Sequence, residues 1–343
     1  MRWRMALLAL AVLLVPVAAQ QVDRSKLVAE RQAFSQAYNR KDWPRAIEVG
    51  LRIDQLLPNN STHQYNMACV YALNGDADTA ETWLGRAAVN GFLCVSLMER
   101  DTDLESIRQR PGCTAALQQA RKNLEQLHAR LRETYTKHPP RVLVPPEFDR
   151  SKPAPLIIAL HGYGDHADGA PLYWRNVAAE IGAVLVAPQG PYVVPGAHRS
   201  WVPSGTQRVD DGDYVILHTL EDMRRRFKVD EKRIVLTGFS QGAFIAFSAV
   251  VRHPELFCGV IPMAGGYVPA MDAPPPAGEQ APRFYFMVGA KDPVAPQDRR
   301  AVNDFRTAGY TVELRVYPAT GHAFPNKDRQ EELRKALRYA LGE

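Results

Sequence analysis

Hydrophobic positions divide the chain into two parts with different periodicities. From Ser25 to about Tyr135, apolar residues recur at intervals of three and four, and the alternation typical of strands is absent. Such spacing places apolar side chains on one face of successive helices. We therefore predict that residues 24–136 form an all-helical domain.

Short apolar runs alternate with helical patterns in the second part. The runs that we predict to be strands are 156–160, 183–187, 233–237, 259–263, 284–288 and 312–316. Helices are predicted between most of the strands and near the end of the chain, at about 171–181, 211–227, 241–252, 297–308 and 327–341. Continuous apolar strands that alternate with helices are typical of a mostly parallel sheet covered on both faces. We assign residues 137–343 to this α/β domain, which follows a proline-rich linker.

An internal repeat is visible in the helical part. Asp42 and Asp76 are 34 residues apart, and so are Ala46 and Ala80. The segment 66–76 resembles the tetratricopeptide repeat family, whose repeats are helix pairs of 34 residues. The resemblance implies a surface that binds a protein or peptide partner. A helical domain that only covers its neighbour fits the same residues equally well.

Composition and charge exclude several classes of protein. Hydrophobic residues make up 46% of the chain and charged residues 23%, which is typical of globular proteins and not of disordered or multi-span membrane proteins. The formal net charge of +5 is too small for this length to indicate nucleic-acid binding. The sequence contains no Cys-x-x-Cys pair and no His-Glu-x-x-His run, so no metal site is predicted.

The first residues have the pattern of a secretory signal peptide. Arg2 and Arg4 precede an apolar run at 5–15, and small residues lead up to Ala19. We predict a signal peptide at 1–19 and a periplasmic or secreted protein. The alternative is a membrane anchor, but the run is shorter than the roughly 20 residues that a span requires. We therefore expect no stable membrane span after the signal is removed.

This compartment is oxidising, which bears on the four cysteines. Cys69, Cys94 and Cys113 lie in the helical part, and Cys258 lies in the second part. Four cysteines allow three full connectivities, which the sequence does not distinguish. If any pair forms, we expect Cys94 with Cys113, because these two flank a less regular stretch.

Candidate catalytic side chains follow three of the predicted strands. The third strand ends in Gly-Phe-Ser-Gln-Gly at 238–242, and a helix follows, so Ser240 lies at a nucleophile elbow. A serine hydroxyl needs a positioned base to react at neutral pH. Asp292 follows the fifth strand and His322 follows the sixth, in the order expected for the acid and the base. The carboxyl ends of parallel strands meet at one edge of a sheet. The sequence therefore predicts a catalytic triad there.

Two backbone N–H groups are predicted to form the oxyanion hole. The first belongs to Gln241, directly after the nucleophile, and the second belongs to Tyr163, in the loop after the first core strand. In that loop, Gly162 allows the backbone to approach the substrate closely. His161 is predicted to shape the loop by hydrogen bonding and not to act as a second base.

These patterns together resemble the α/β-hydrolase superfamily, and within it the compact carboxylesterase/phospholipase-type serine esterases. The resemblance is carried by His-Gly-x-Gly-Asp at 161–165 and by Gly-Phe-Ser-Gln-Gly at 238–242. It implies an α/β hydrolase fold, with Ser240 as nucleophile, Asp292 as acid and His322 as base.

The resemblance covers residues from about 141 to 343 and extends to the substrate side of the site. Segment 196–204, which contains Trp201, resembles the substrate-side loop of the family, so Trp201 is expected to contact substrate. Ala243 replaces the second glycine of the usual pair after Gln241, a mild departure. A signal peptide and a helical repeat domain are not features of the simple cytoplasmic members, so the identity of the substrate stays open.

The function predicted from the sequence is hydrolysis of a carboxylic ester by a secreted serine hydrolase, through an acyl-enzyme intermediate and without a cofactor or metal. Two alternatives remain. The first alternative is a peptidase of the same fold. The second is a non-catalytic protein whose helical repeats bind a partner. Among esters, polymer-linked feruloyl, acetyl or hydroxyalkanoate groups are open possibilities.

Overall fold

The computed structural model describes residues 24–203, 210–265, 274, 276–323 and 329–343. The predicted signal peptide at 1–19 lies outside the described residues. Among the described residues, no helix combines the length and apolar composition needed to cross a bilayer. The chain divides into two compact units, one ending at Gln126 and one beginning at Leu127.

The first unit is built from helices. They are α1 (Arg24–Asn39), α2 (Trp43–Leu56), α3 (Ser61–Leu73), α4 (Ala77–Val89), α5 (Val95–Arg100) and the start of α6 (Pro111–Lys137), with a 3₁₀ helix at Thr102–Ile107. The helical prediction for this part agrees with these elements. The assignment to the tetratricopeptide repeat family stays a prediction.

The two aspartates of the 34-residue repeat each lie at the start of a helix. The side chain of Asp42 accepts a hydrogen bond from the backbone N–H of Arg45 at the start of α2, and Asp76 does the same with Thr79 at the start of α4. Each aspartate therefore satisfies a donor that has no partner within its helix. The alanine four residues later is fully buried in both helices, which allows close packing.

The second unit is built around a seven-stranded sheet. Its strands are β1 (Arg141–Leu143), β2 (Ala154–Leu160), β3 (Val184–Ala187), β6 (Val229–Phe239), β7 (Gly259–Met263), β8 (Arg283–Gly289) and β9 (Val312–Tyr317). Their order is β1-β3-β2-β6-β7-β8-β9, and all pairs are parallel except β1 with β3. A separate hairpin pairs β4 (Tyr192–Val194) with β5 (His198–Ser200).

Helices cover both faces of the sheet. They are α7 (Ala170–Glu180), α8 (Asp210–Arg226), α9 (Gln241–Arg252), α10 (Ala295–Thr307) and α11 (Arg329–Leu341). Because successive strand residues point to opposite faces, Ile158 packs in one core with Phe284 and with helices α8, α9 and α10. Ile157 packs in the other core with Trp174 of α7 and Leu337 of α11. All six predicted strands are present. Burial on both faces explains the continuous apolar sequences of the first five. The sixth, β9, lies at the edge of the sheet, is only partly buried and carries Glu313 and Arg315.

The division between the units differs from the predicted boundary near residue 137. It falls between Gln126 and Leu127, inside α6. The last turns of α6 belong to the second unit, where the ring of Tyr135 packs edge-on against His218 of α8, with ring centroids 4.7 Å apart. The prolines after the helix predict a later boundary.

We expect the helix-capping aspartates to stabilise the first unit. Asp42→Ala and Asp76→Ala should each lower the free energy of unfolding by about 1 kcal/mol, because each leaves a backbone N–H without its acceptor. Asp→Asn at the same positions retains the acceptor and serves as the matched control. Urea unfolding of the full chain, followed by circular dichroism, measures the difference. Equal losses in the alanine and asparagine variants would contradict the capping role.

Candidate active site

Ser240 lies at a sharp turn between β6 and α9. Its backbone has φ +53° and ψ −118°, a conformation that residues other than glycine rarely adopt. A Cβ at position 238 would lie 2.3 Å from the carbonyl oxygen of Gly242, and one at position 242 would lie 2.4 Å from that of His161. Only glycine fits at either end of this turn. The Ser240 N–H donates to the carbonyl of Met263, 2.8 Å away, which ties the turn to β7.

The structure brings the three predicted catalytic side chains together. His322 Nε2 is 2.9 Å from Ser240 Oγ, and His322 Nδ1 is 2.9 Å from Asp292 Oδ2. The Asp292 side chain is fully buried, whereas that of His322 is 41% exposed. The other carboxylate oxygen of Asp292 accepts a hydrogen bond from the Val294 N–H at 3.0 Å. This arrangement can pass a proton from a serine hydroxyl to an imidazole held by a carboxylate.

Backbone hydrogen bonds join the loops that carry Asp292 and His322. The Ala290 N–H donates to the Tyr317 carbonyl at 2.9 Å, and the Lys291 N–H donates to the Thr320 carbonyl at 2.8 Å. A Cβ at Gly289 would lie 2.3 Å from that same Thr320 oxygen, so the two loops are in close contact. The separation of Asp292 and His322 is therefore set by the continuation of β8 and β9.

His161 is buried below the loop that follows β2. Its Nε2 accepts a hydrogen bond from the Gly190 N–H at 2.9 Å, and its Nδ1 donates to the Gly162 carbonyl at 2.8 Å. Burial lowers the pKa of His161 to about 4, so the ring is neutral at neutral pH. The structure therefore gives His161 the hydrogen-bonding role that the sequence predicted.

Gln241 begins α9, directly after the nucleophile. The first N–H groups of a helix have no acceptor within the helix, which leaves the Gln241 N–H available to a ligand. Its side chain is directed elsewhere: Oε1 accepts from the Trp201 N–H at 2.9 Å, and Nε2 donates to Ser200 Oγ at 3.0 Å. Tyr163 lies in the turn after β2 with a 60% exposed residue surface.

The structure does not support the predicted substrate contact at Trp201. The residue is fully buried, and its indole N–H donates to the His161 carbonyl at 2.8 Å. No face of the ring is open to a ligand. Trp201 instead holds the loop after β2 in place. Cys94 and Cys113, the pair expected if any disulfide forms, are both free thiols in the structure, as are Cys69 and Cys258.

A cavity of about 230 Å³ lies beside the nucleophile. The residues that surround it include Gly162, Asp165, Tyr173, Trp174, Phe239 and His322. Tyr173 and Trp174 carry no functional signal in the sequence, because their helix has the apolar pattern of ordinary core packing.

One group among the described residues has the side chains of a metal site. Cys69, Asp101 and Asp103, in the first unit, have potential ligand atoms within 4.8 Å of one another. The hydroxyl of Tyr65 donates to Asp101 at 2.7 Å, and that of Tyr38 donates to Asp103. These bonds anchor the 3₁₀ helix to the helices before it, which gives the two carboxylates a structural role.

The buried His161 should make the stability of the fold depend on pH. Its folded-state pKa is below the ordinary value of 6.5, so the unfolded chain takes up the proton first as the pH falls. The contribution of His161 to the free energy of unfolding is therefore fully present above pH 6.5. It decreases by up to about 3 kcal/mol as the pH falls toward about 4. His161→Gln should flatten this part of the curve of unfolding free energy against pH. The control is His166→Gln at an exposed position, and equal slopes in both variants would contradict this assignment.

Parts of the chain are similar to known hydrolases. Residues 172–341 match the dienelactone hydrolase family. Esterase YpfH of Escherichia coli (strain K12) is 27% identical over 207 residues, which cover 55% of this chain and 85% of that protein. The putative esterase NocK of Nocardia uniformis is 29% identical over 154 residues, which cover 42% of this chain and 42% of that protein.

Among solved structures, that of esterase PE8 aligns with a TM-score of 0.47 at 23% identity, over 58% of this chain and 97% of that one. The observed strand order and the helices on both faces confirm the predicted α/β hydrolase fold. The protein is therefore a carboxylic ester hydrolase, and its second unit matches the dienelactone hydrolase family.

Proposed function

We propose that the protein hydrolyses carboxylic esters through a Ser240–His322–Asp292 triad and a covalent acyl-enzyme. The observation that carries this proposal is the pair of 2.9 Å contacts that His322 makes through its two ring nitrogens. One contact is to a serine on a strained turn and the other is to a buried carboxylate. A histidine with only a structural role has no need of both partners.

In the first half of the reaction, His322 Nε2 takes the proton of the Ser240 hydroxyl as Oγ attacks the ester carbonyl. Asp292 accepts the hydrogen bond from Nδ1–H, which fixes the tautomer that leaves Nε2 free to act as a base. The carboxylate then stabilises the imidazolium that forms. His322 gives the proton to the leaving alcohol. Water repeats the sequence on the acyl-enzyme, releasing the acid.

The negative charge on the carbonyl oxygen is proposed to be stabilised by the backbone N–H groups of Gln241 and Tyr163. Two observations support this choice. Gln241 begins a helix whose N-terminus carries a partial positive charge, and the side chain of Gln241 is held away from the substrate by Ser200 and Trp201. The loop of Tyr163 is fixed from below by His161 and by a hydrogen bond from the Gly164 N–H to the Arg199 carbonyl at 2.9 Å.

We also propose that residues 1–19 direct secretion and that the enzyme acts in the periplasm or outside the cell. The charged start and the short apolar run support this proposal. The helical unit is proposed to bind a protein or peptide partner, supported by its repeated caps and buried alanines. N-terminal sequencing of the enzyme from fractionated cells tests whether residues 1–19 direct secretion. A chain that retains Met1 in the cytoplasmic fraction would contradict it.

Ser240→Ala should abolish turnover while the fold is retained. We expect kcat/KM for p-nitrophenyl esters, from acetate to decanoate, to fall by about 10⁴-fold or more, because the attacking oxygen is removed. Ser151→Ala, at an exposed serine of the same unit, is the control. A fluorophosphonate probe should label the native enzyme and the control but not Ser240→Ala. Full activity in Ser240→Ala would rule out the mechanism, and labelling without ester turnover would indicate a peptide substrate.

Asp292→Asn should lower kcat by about 10⁴-fold near neutral pH, with circular dichroism unchanged. The amide has nearly the shape of the carboxylate, but its NH₂ group favours the wrong tautomer of His322. Asp168→Asn, at an exposed position, is the matched control. If Asp292→Asn retained native kcat, Asp292 would have no part in orienting the base.

A further inference from the structure

Strand β9 forms one edge of the seven-stranded sheet, and β1 forms the other. The two edges differ in their protection against pairing with another chain. β1 has three residues, and prolines flank it at 139–140 and 145–146. β9 has six residues, Val-Glu-Leu-Arg-Val-Tyr, and contains no proline, glycine or lysine. Short strands, prolines and lysines are the usual protection of a sheet edge, so β9 is the less protected of the two.

The backbone groups that point outward from β9 belong to its even-numbered residues. The carbonyl oxygens of Thr311 and Tyr317 accept hydrogen bonds, at 3.0 and 2.9 Å, from N–H groups of β8 and of the residue that follows it. Odd-numbered residues therefore bond to β8. Because the direction alternates along a strand, the N–H and C=O groups of Val312, Leu314 and Val316 point away from the sheet.

Most of this outward row is open to a second strand. A guanidinium N–H of Arg306 in α10 donates to the Val312 carbonyl at 3.0 Å, which confirms that this carbonyl points outward. A carbonyl oxygen has two lone pairs, so it can accept a further hydrogen bond. Within the described part of the chain, the outward groups of Leu314 and Val316 have no hydrogen-bond partner.

The charged side chains of β9 match those of an identical strand in one register. Glu313 and Arg315 are exposed and lie two residues apart on one face of the strand. If two β9 strands pair antiparallel about a two-fold axis at Leu314, Glu313 lies opposite Arg315 of the second copy, and this contact occurs twice. An axis at Glu313 or Arg315 would place like charges opposite each other. Opposite charges across two strands stabilise the pair, and like charges destabilise it.

The apolar face of β9 matches in the same register. Leu314 lies opposite Leu314 of the second copy, and Val312 lies opposite Val316. Leu314 and Val316 are only partly buried within one chain, so pairing removes further apolar surface from water. On the charged face, Arg315 already contacts Glu332 of α11, with Nε 3.2 Å from Oε2. A guanidinium has five N–H donors, so this contact leaves donors for a second carboxylate.

We propose that β9 pairs antiparallel with β9 of a second copy of this chain, with Leu314 at the two-fold axis, so that two sheets join into one in a homodimer. A second copy is the partner because the charge pattern of the edge is complementary to itself. A two-fold contact of this kind is complete with two copies and leaves no β9 edge open. The proposal rests on the sheet and not on the chemistry of Ser240, so its test needs no substrate.

Sedimentation velocity of the full chain over a concentration series tests the dimer. We expect a dimer with a Kd on the order of 1 μM, and a monomer at about 100 μM would overturn the proposal. Glu313→Arg places like charges opposite each other twice and should raise Kd by at least about tenfold. Glu147→Arg, at an exposed glutamate in the loop after β1, is the matched control and should leave Kd unchanged. An equal Kd for Glu313→Arg and the control would place the interface elsewhere and overturn the proposal.

Mixing two variants tests the register. The second variant carries Arg315→Glu together with Glu332→Gln, because Glu332 would otherwise repel the new carboxylate within the same chain. This variant and Glu313→Arg should each be monomeric alone and should form a heterodimer when mixed in equal amounts. Glu332→Gln alone should stay dimeric, and circular dichroism checks that each variant is folded. If the folded variants stay monomeric in the mixture, the register is wrong and the proposal fails.

Hydrogen exchange resolved to single amides tests the edge itself. The amides of Leu314 and Val316 should exchange slowly in the native dimer and at least about tenfold faster in Glu313→Arg, because only the second strand protects them. The amides of residues 313 and 315, which bond to β8, should be protected in both proteins. Equal exchange at Leu314 and Val316 in the two proteins would overturn the proposal. Protection of these amides in a native monomer would indicate that a different chain, such as a peptide, occupies the edge, and would overturn it as well.

Discussion

The whole site depends on how closely α9 approaches the end of β2. At Gly242 the backbone of the helix passes so near the carbonyls of Leu160 and His161 that even a methyl group would not fit. This contact forces the turn that holds Ser240 at a positive φ, at a cost of about 1–3 kcal/mol. The parallel ladders that β6 forms with β2 and β7 offset that cost, because these strands are central and buried on both faces. The stability of the sheet core therefore keeps Ser240 in its strained backbone conformation.

A chain of buried hydrogen bonds extends this constraint to the loops around the nucleophile. The indole of Trp201 donates to the carbonyl of His161, and the backbone N–H of Trp201 donates to the side chain of Gln241. His161 in turn accepts from Gly190. Three loops are therefore joined to one neutral imidazole and one amide. A charged or missing partner in this series of hydrogen bonds would leave buried polar groups unsatisfied. That costs more stability than the loss of the bond itself.

The sequence predicted the parts of the structure that follow from burial on both faces of the sheet. Short apolar runs identified the main strands, although β9 is only partly buried and carries Glu313 and Arg315. The ends of those strands located Ser240, Asp292 and His322 at one edge. Strands β1, β4 and β5 were not predicted, because they have three residues each and are only partly buried. The predicted substrate contact of Trp201 was wrong because an aromatic residue in a loop has the same sequence pattern whether it contacts substrate or packs in the core. The unit boundary inside α6 was missed because a continuous helix carries no local signal of division.

The central claim is that Ser240 carries the acyl group between the two half-reactions. The most direct measurement is mass spectrometry of the enzyme, quenched with acid during turnover of a slowly hydrolysed ester and then digested. We expect a mass increase equal to the acyl group on the peptide that contains Ser240, which disappears when the ester is exhausted. Turnover without any acylated peptide, or with the acyl group on a peptide from another part of the chain, would contradict it.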